Sequence, residues 1–199
     1  SYNSWWERAK QLLKPAPLFN AVECGVYTGS SLIACASMAH EAKIPFQMYG
    51  LDTFAGLPPV SEKDREFAPA GARYLGSRLF TDTSLASVQE KVVAAQLEQA
   101  VELRQGLFSD TLPLLPERRY HFVNIDCDLY EPHIECLEYF YPRMVSGGIL
   151  FFDDYHSVEY PMAGKAIDDF MSDKPEQLLH LRFGKEGTNH TKCFFIKYP

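Results

Sequence analysis

Short apolar runs alternate along the chain with stretches of helical spacing, and the runs end in glycine or in a carboxylate. Residues 18–24 form the first run, which stops at Gly25, and the small residues of 30–40 read as a helix. Residues 46–51 form a second strand that ends at Asp52. Leu85, Val88, Val92 and Ala95 then recur at three- and four-residue spacing, one face of a helix. A short strand over 101–103 and a stronger one over 120–125 follow, the latter ending at Asp126. Ile134, Leu137 and Tyr141 mark the next helix, with Pro142 and the pair Gly147 and Gly148 as its stop. Residues 149–152 are wholly apolar, which suits a strand buried on both sides, and Asp153 and Asp154 end it. A helix over 164–171 precedes two further runs, 178–183 and 193–198, joined by a stretch with Gly and Asn that suits a hairpin.

Strand–helix alternation of this kind predicts an α/β fold: a mostly parallel sheet with helices on both faces. Residues 55–83 break the alternation. They are rich in proline, glycine and charge and read mostly as a long loop, of the sort that serves as a lid or binding segment. With 199 residues and no internal repeat, the chain reads as one domain, with residues 1–17 as a lid or dimer segment shortened at its start. Ser1 stands where a starting Met would, which reads as a trimmed or replaced terminus. Trp5 and Trp6 read as a hydrophobic edge, a dimer contact or part of a lid.

Charge narrows the partners. The net formal charge of −7 disfavours unassisted binding to nucleic acid or anionic lipid. No apolar run approaches the ~20 residues that span a bilayer, and no basic-then-apolar leader opens the chain. The five cysteines are odd in number and show no Cys-x-x-Cys spacing. They read as small buried thiols rather than a disulfide or zinc framework, and the cytoplasm is the natural compartment.

Ligands of open α/β sheets bind beyond the carboxyl ends of the strands. Four of the predicted strands end there in acid: Glu23, Asp52, Asp126, and Asp153 with Asp154. An unpaired buried rim of this kind is costly, so it calls for hydroxyl donors, cations or a metal. After Glu23, the turn through Gly25, Val26, Tyr27, Gly29 and Ser30 lets a ligand approach the backbone, and Ser30 or Ser31 can cap the helix. Tyr27 breaks the dinucleotide fingerprint, and the acid before the first glycine suits a cationic or zwitterionic group instead. Asp52, 29 residues after Glu23, can accept from both hydroxyls of a ribose or act as a turn residue. Beside it stand Thr53 and Phe54, the latter an adenine cover or simply core. Residues 103–108, with Gln105, Gly106 and Phe108, are placed to line an adenine. Asp126, Asp128, Asp153 and Asp154 converge if their strands are neighbours. All-oxygen donors favour a hard cation such as Mg²⁺ over zinc. Helix N-terminal acids would explain Asp128 or Asp154 singly. His156 is a base or substrate contact by position, and Lys165 can neutralise a carboxylate on its own helix.

Four segments carry a family resemblance: residues 23–30 (ECGVYTGS), 50–58 (GLDTFAGLP), 106–113 (GLFSDTLP), and 125–131 (IDCDLYE) continued through Tyr141, Pro142, Gly147 and Gly148 to Asp153, Asp154 and Tyr155. The sequence resembles class I S-adenosylmethionine-dependent methyltransferases. More narrowly it is similar to the macrocin O-methyltransferase (TylF-like) family, which methylates sugar hydroxyls of natural products. The resemblance implies a Rossmann-like, seven-stranded sheet, parallel except for one strand, with a C-terminal antiparallel hairpin. It implies S-adenosylmethionine at Glu23, Gly25 and Gly29 (methionine part), at Asp52 (ribose) and at Gln105, Gly106 and Phe108 (adenine). It implies Mg²⁺ on Asp126, Asp153 and Asp154, and Asp128 as general base with His156 second. A small-molecule acceptor with a sugar hydroxyl and a homodimer follow from the resemblance alone. Family members carry a longer N-terminal region that closes over the substrate. Catechol-type phenols are the nearest alternative acceptors. A D-x-D phosphatase or glycosyltransferase is a further reading, but the first places its D-x-D after the first strand, whereas here it lies past the midpoint, and the second does not account for Glu23 with Gly25 or for Asp52.

Overall fold

A computed structural model describes residues 18–76, 79–183 and 190–199. Seven strands form one sheet in the order β3-β2-β1-β4-β5-β7-β6. They are β1 (Phe19–Cys24), β2 (Phe46–Asp52), β3 (Val101–Gln105), β4 (Tyr120–Ile125), β5 (Met144–Phe152), β6 (Leu179–Phe183) and β7 (His190–Ile196). Strands β1 to β5 pair in parallel, and β7 runs antiparallel to both β5 and β6. The chain is therefore an α/β protein with a mostly parallel Rossmann-like sheet and a C-terminal antiparallel pair, as expected. Trp5, Trp6 and the hairpin's Gly- and Asn-containing connection lie outside the described residues.

Alternation along the strands divides the core between the two faces. On one face Val22, Cys24, Leu51, Val123, Ile125, Leu150 and Phe152 pack with Leu137 and Phe140 of α5 (Tyr130–Phe140) and Ile167 of α6 (Pro161–Met171). On the other, Ala21, Met48 and Val101 pack with Leu32 and Ala36 of α1 (Ser30–Glu41) and with Val88 and Val92 of α3 (Leu85–Ala94). The 88/92 pair is the stripe that the sequence spacing predicts.

Three expectations change. The glycines at 147 and 148 do not stop the preceding helix, which ends at Phe140. They lie inside β5, where Gly147 has φ +80° and the pairing jumps from Tyr120–Met144 to Phe122–Ile149. Glycine there serves a bulge, because a positive φ is strained for other residues. The apolar run 149–152 is buried only at Leu150 and Phe152, with Ile149 and Phe151 half-buried. Cys35 is exposed, whereas the other four cysteines are buried and none is paired.

The excursion between β2 and α3 is more ordered than its composition suggests. It contains α2 (Glu62–Glu66), capped by Ser61, and a 3₁₀ turn at Arg73–Leu75. Leu57, Phe67, Tyr74 and Phe80 pack on Leu129, Tyr130, Tyr160 and Met162 at the N-terminal ends of α5 and α6. The excursion is thereby folded over the carboxyl edge of the sheet.

The last strand is tied down by a buried ion pair. Glu176 accepts from the Lys197 ammonium, from Tyr141 Oη at 2.6 Å and from the Tyr198 amide at 3.2 Å. Burial alone would raise its pKa, but these donors outweigh it and hold the carboxyl down at about 2. A depressed folded pKa means stability that is present above the unfolded value of about 4.5 and lost as pH falls towards 2. Glu176→Gln should cost about 3 kcal/mol in urea unfolding at pH 7, because it leaves a half-buried ammonium unpaired. The gap to the wild-type chain should narrow below pH 4.

Candidate active site

Strand order reverses between β1 and β4, the place where open α/β sheets bind ligands. Gly25 occupies that point at φ +90°, and a Cβ there would lie 1.6 Å from the carbonyl oxygen of Asp126. Only a residue without a side chain lets the two strand ends close, with the Asp126 amide donating to Cys24 O at 2.8 Å.

A crevice of about 410 Å³ opens above this contact. Of the residues singled out in the sequence, Gly25, Val26, Tyr27, Ser30, Asp52, Thr53, Gly106, Phe108, Asp126 and Asp128 line it. Asp153 and Asp154 are not part of its lining but cluster with Asp126, and five others stand aside. Glu23 is buried beneath it, and Gly29 faces Val88. Phe54 belongs to the core and covers nothing in the crevice. Gln105 ends β3 rather than following it, and its amide donates to Thr53 O at 3.0 Å. His156 is exposed, at 3.0 Å from His180, and is not brought to the carboxylates. Neither serine caps α1. Gly29, in the left-handed region, is its N-cap, and Ser31 instead bonds Glu23.

The excursion and α5 supply walls that sequence reasoning missed: Leu57, Pro58 and Phe80 from the first, Glu131 and Glu135 from the second. The two glutamates stand four apart just after the D-x-D, so helical spacing could have shown them together. Nothing in the composition marks Phe80, because its place depends on how the excursion folds. Tyr27, at φ +49°, anchors that fold: its hydroxyl donates to Asp82 at 2.8 Å and its carbonyl accepts from Thr83 Oγ1 at 2.7 Å.

Asp52 is held by the backbone. Oδ2 accepts from the amides of Val26 (2.7 Å) and Tyr27 (2.9 Å), and Oδ1 from that of Phe54 (2.6 Å). A carboxylate has about four acceptor positions, so Asp52 keeps room for about one further donor rather than for a pair of hydroxyls.

Asp126, Asp153 and Asp154 each offer a carboxylate oxygen within 4.8 Å of the others. Asp153 is paired with the Lys192 ammonium of β7, and Asp154 Oδ2 accepts from the Asp128 amide at 3.0 Å. Asp126 is pushed up to about 9 by burial first, then by Asp154, Asp153 and Asp128. Burial and the other aspartates likewise drive Asp128 well up, and burial raises Asp154 to about 6. Beneath them burial raises Glu23 to about 7 although Ser31 and Asn124 bond it. Its Oε2 has no partner among the described residues. Oxygen donors crowded to this degree fit a hard divalent cation, which removes the repulsion, and the unpartnered Glu23 oxygen fits a donor from a ligand.

A family model described as macrocin-O-methyltransferase (TylF) matches residues 18–178. The chain is 31% identical over 145 residues to the Streptomyces olivaceus protein 8-demethyl-8-(2,3-dimethoxy-alpha-L-rhamnosyl)-tetracenomycin-C 4'-O-methyltransferase, covering 67% of this chain and 52% of that one. It is 30% identical over 157 residues to demethyldecarbamoylnovobiocin O-methyltransferase of Streptomyces niveus, covering 75% and 56%. The chain thus spans about half the length of these curated relatives. Among solved structures, the O-methyltransferase NovP superposes with a TM-score of 0.75 at 24% identity, over 92% of this chain and 73% of that one. No helix of the described residues is long and apolar enough to cross a membrane.

Two outcomes follow from the geometry. Gly25→Ala should lose about 3 kcal/mol or more in denaturant unfolding, since both the φ and the Asp126 carbonyl forbid a Cβ. Without added metal, stability should fall as pH rises. The acids at 23, 126 and 154 have folded pKa values above their unfolded ones, so between about 4 and 9 the folded chain holds more protons than the unfolded one. A thermal midpoint that drops steadily from pH 5 to pH 9 in chelator is expected, and one that rises would contradict the carboxylate cluster.

Proposed function

Because the chain belongs to the macrocin O-methyltransferase (TylF) family, we propose that it transfers the methyl group of S-adenosylmethionine to a hydroxyl of a sugar or glycosylated natural product, with Mg²⁺ assistance. One observation carries the reading. Asp126 lines the crevice at the strand switch point and also belongs to the three-carboxylate cluster, so the cofactor pocket and the cation site share a wall. The relatives' names point to the acceptor: the S. olivaceus protein is named for a 4'-O-methyl transfer to a rhamnosyl compound.

Bound at Asp126, Asp153 and Asp154, Mg²⁺ would lower the pKa of a coordinated hydroxyl, and S-adenosylmethionine would supply an electrophilic methyl on a sulfonium. The chain does the rest. Gly25 and the turn to Ser30 leave the backbone open to the methionine end, with the unpartnered oxygen of Glu23 behind it. Asp52, kept in place by three amides, meets the ribose through its remaining acceptor position. Gly106 and Phe108 border the adenine. Asp128 faces the same crevice, and its raised pKa makes its ionised form a good acceptor for the hydroxyl proton. The excursion narrows access for water on one side through Leu57 and Phe80, and alignment of oxygen, carbon and sulfur completes the work.

Calorimetry with S-adenosylhomocysteine tests the pocket: micromolar binding is expected, and no binding would remove the reading. Mg²⁺ should raise the thermal midpoint more at pH 8 than at pH 5. Asp153→Asn should weaken that Mg²⁺ response roughly 100-fold in concentration, at or beyond the upper end of what loss of an outer partner does, while leaving S-adenosylhomocysteine affinity nearly unchanged.

A further inference from the structure

One buried acid plays no part in the chemistry above. Asp64 lies in α2 of the excursion, is 1% exposed, and accepts from two backbone amides and a hydroxyl. Its Oδ2 accepts from the Ser61 amide (2.7 Å) and hydroxyl (2.8 Å), which closes the cap of α2. Its Oδ1 accepts at 2.7 Å from the amide of Tyr130, 66 residues away, which is the first residue of α5.

That second bond meets one of the free first-turn amides of α5, and it is the bond an Asp two residues earlier could make in an Asx-turn. An Asp side chain readily accepts from the backbone amide two residues on, closing an Asx-turn. Asp128 is such a residue, two positions before Tyr130. Here the N-cap of α5 is Leu129, whose side chain caps nothing. Asp128 instead lines the crevice at φ +62°, and the Leu129 amide donates back to Cys127 O at 2.6 Å. An i to i+2 bond around a positive φ is a γ-turn of the uncommon, strained hand. The turn is held from both sides by buried acids: Asp154 takes the Asp128 amide and Asp64 takes the Tyr130 amide. Lys63, next to Asp64, adds a donation to Tyr130 Oη at 2.6 Å.

We propose that Asp64 is a positioning residue: by capping α5 from the excursion it frees Asp128 from that task and keeps the Asp128 carboxylate turned into the crevice. Folding of the excursion and readiness of Asp128 are thereby one event. The inference rests on the reading of Asp128 as the base only for its effect on turnover. Its structural half stands on hydrogen bonds alone.

Crystal structures of the whole chain with S-adenosylhomocysteine, wild-type and Asp64→Ala, decide the structural half. In the variant Asp128 should leave positive φ and bond the Tyr130 or Glu131 amide, with Asp126 and Asp154 unmoved. An Asp128 still facing the crevice while water meets the Tyr130 amide would overturn the proposal. Should Asp64→Ala not fold, Asp64→Ser keeps a hydroxyl near Ser61 but is too short for Tyr130, and the same swing is expected. Asp64→Asn, whose amide oxygen can still take the Tyr130 amide, should leave Asp128 in place.

Methyl transfer to a rhamnosyl glycoside decides the other half. Asp64→Ala should lower kcat about 100-fold at unchanged KM for S-adenosylmethionine, the scale of a small misplacement. It should add nothing in an Asp128→Asn background, because it acts through Asp128. Full additivity, which a merely structural role gives, would overturn it. A wild-type chain that neither binds S-adenosylhomocysteine nor transfers methyl defeats the functional reading instead, and the crystal comparison still judges Asp64.

Discussion

Carboxylates that end neighbouring strands cannot all be ionised in one sheltered crevice unless amides or cations meet them. Asp126, Asp153 and Asp154 bring oxygens within 4.8 Å of each other, with Asp128 and Glu23 near enough to raise the Asp126 pKa further. Water-poor surroundings make that repulsion strong. The surrounding structure answers it piece by piece. Lys192 meets Asp153, the Asp128 amide meets Asp154, and Ser31 with Asn124 meet Glu23. What stays unanswered is at Asp126, and there the excess negative charge matches a divalent cation.

The convergence itself depends on close approach. Parallel strands β1 and β4 pair from Ala21–Phe122 to Cys24–Ile125, and beyond that register Gly25 touches the Asp126 carbonyl. A side chain at 25 would part the strands and move Asp126 away from the other two. The bulge at Gly147 plays a related part lower in the sheet, because it resets the register by which β5 delivers Asp153 beside Asp126.

Acids in this chain do two different jobs with the same chemistry. Asp52 and Asp64 accept from backbone amides and so hold loops: Asp52 ties the β1–α1 turn to the end of β2, and Asp64 ties the excursion to α5. Asp126 and Asp128 line the crevice beside Asp52, but among the described residues no backbone amide donates to their carboxylates. Residue type does not separate these roles; the number of amides within reach does.

The carboxyl ends of β1, β2, β4 and β5, the α3 stripe and the acids on the carboxyl edge were legible in the sequence, because period-two and period-3.6 patterns and strand-terminal positions are local properties. So were the segments that carry the family resemblance, which the family match over residues 18–178 bears out. Other features needed the folded chain. Phe54 went to the core and His156 to His180, Gly147 and Gly148 entered a strand, and a segment that reads as loop packed Leu57 and Phe80 over the crevice. Each of these turns on which groups meet across tens of residues, as Asp64 meets Tyr130. Such meetings are set by the order of strands and the packing of layers, which no short window of sequence contains.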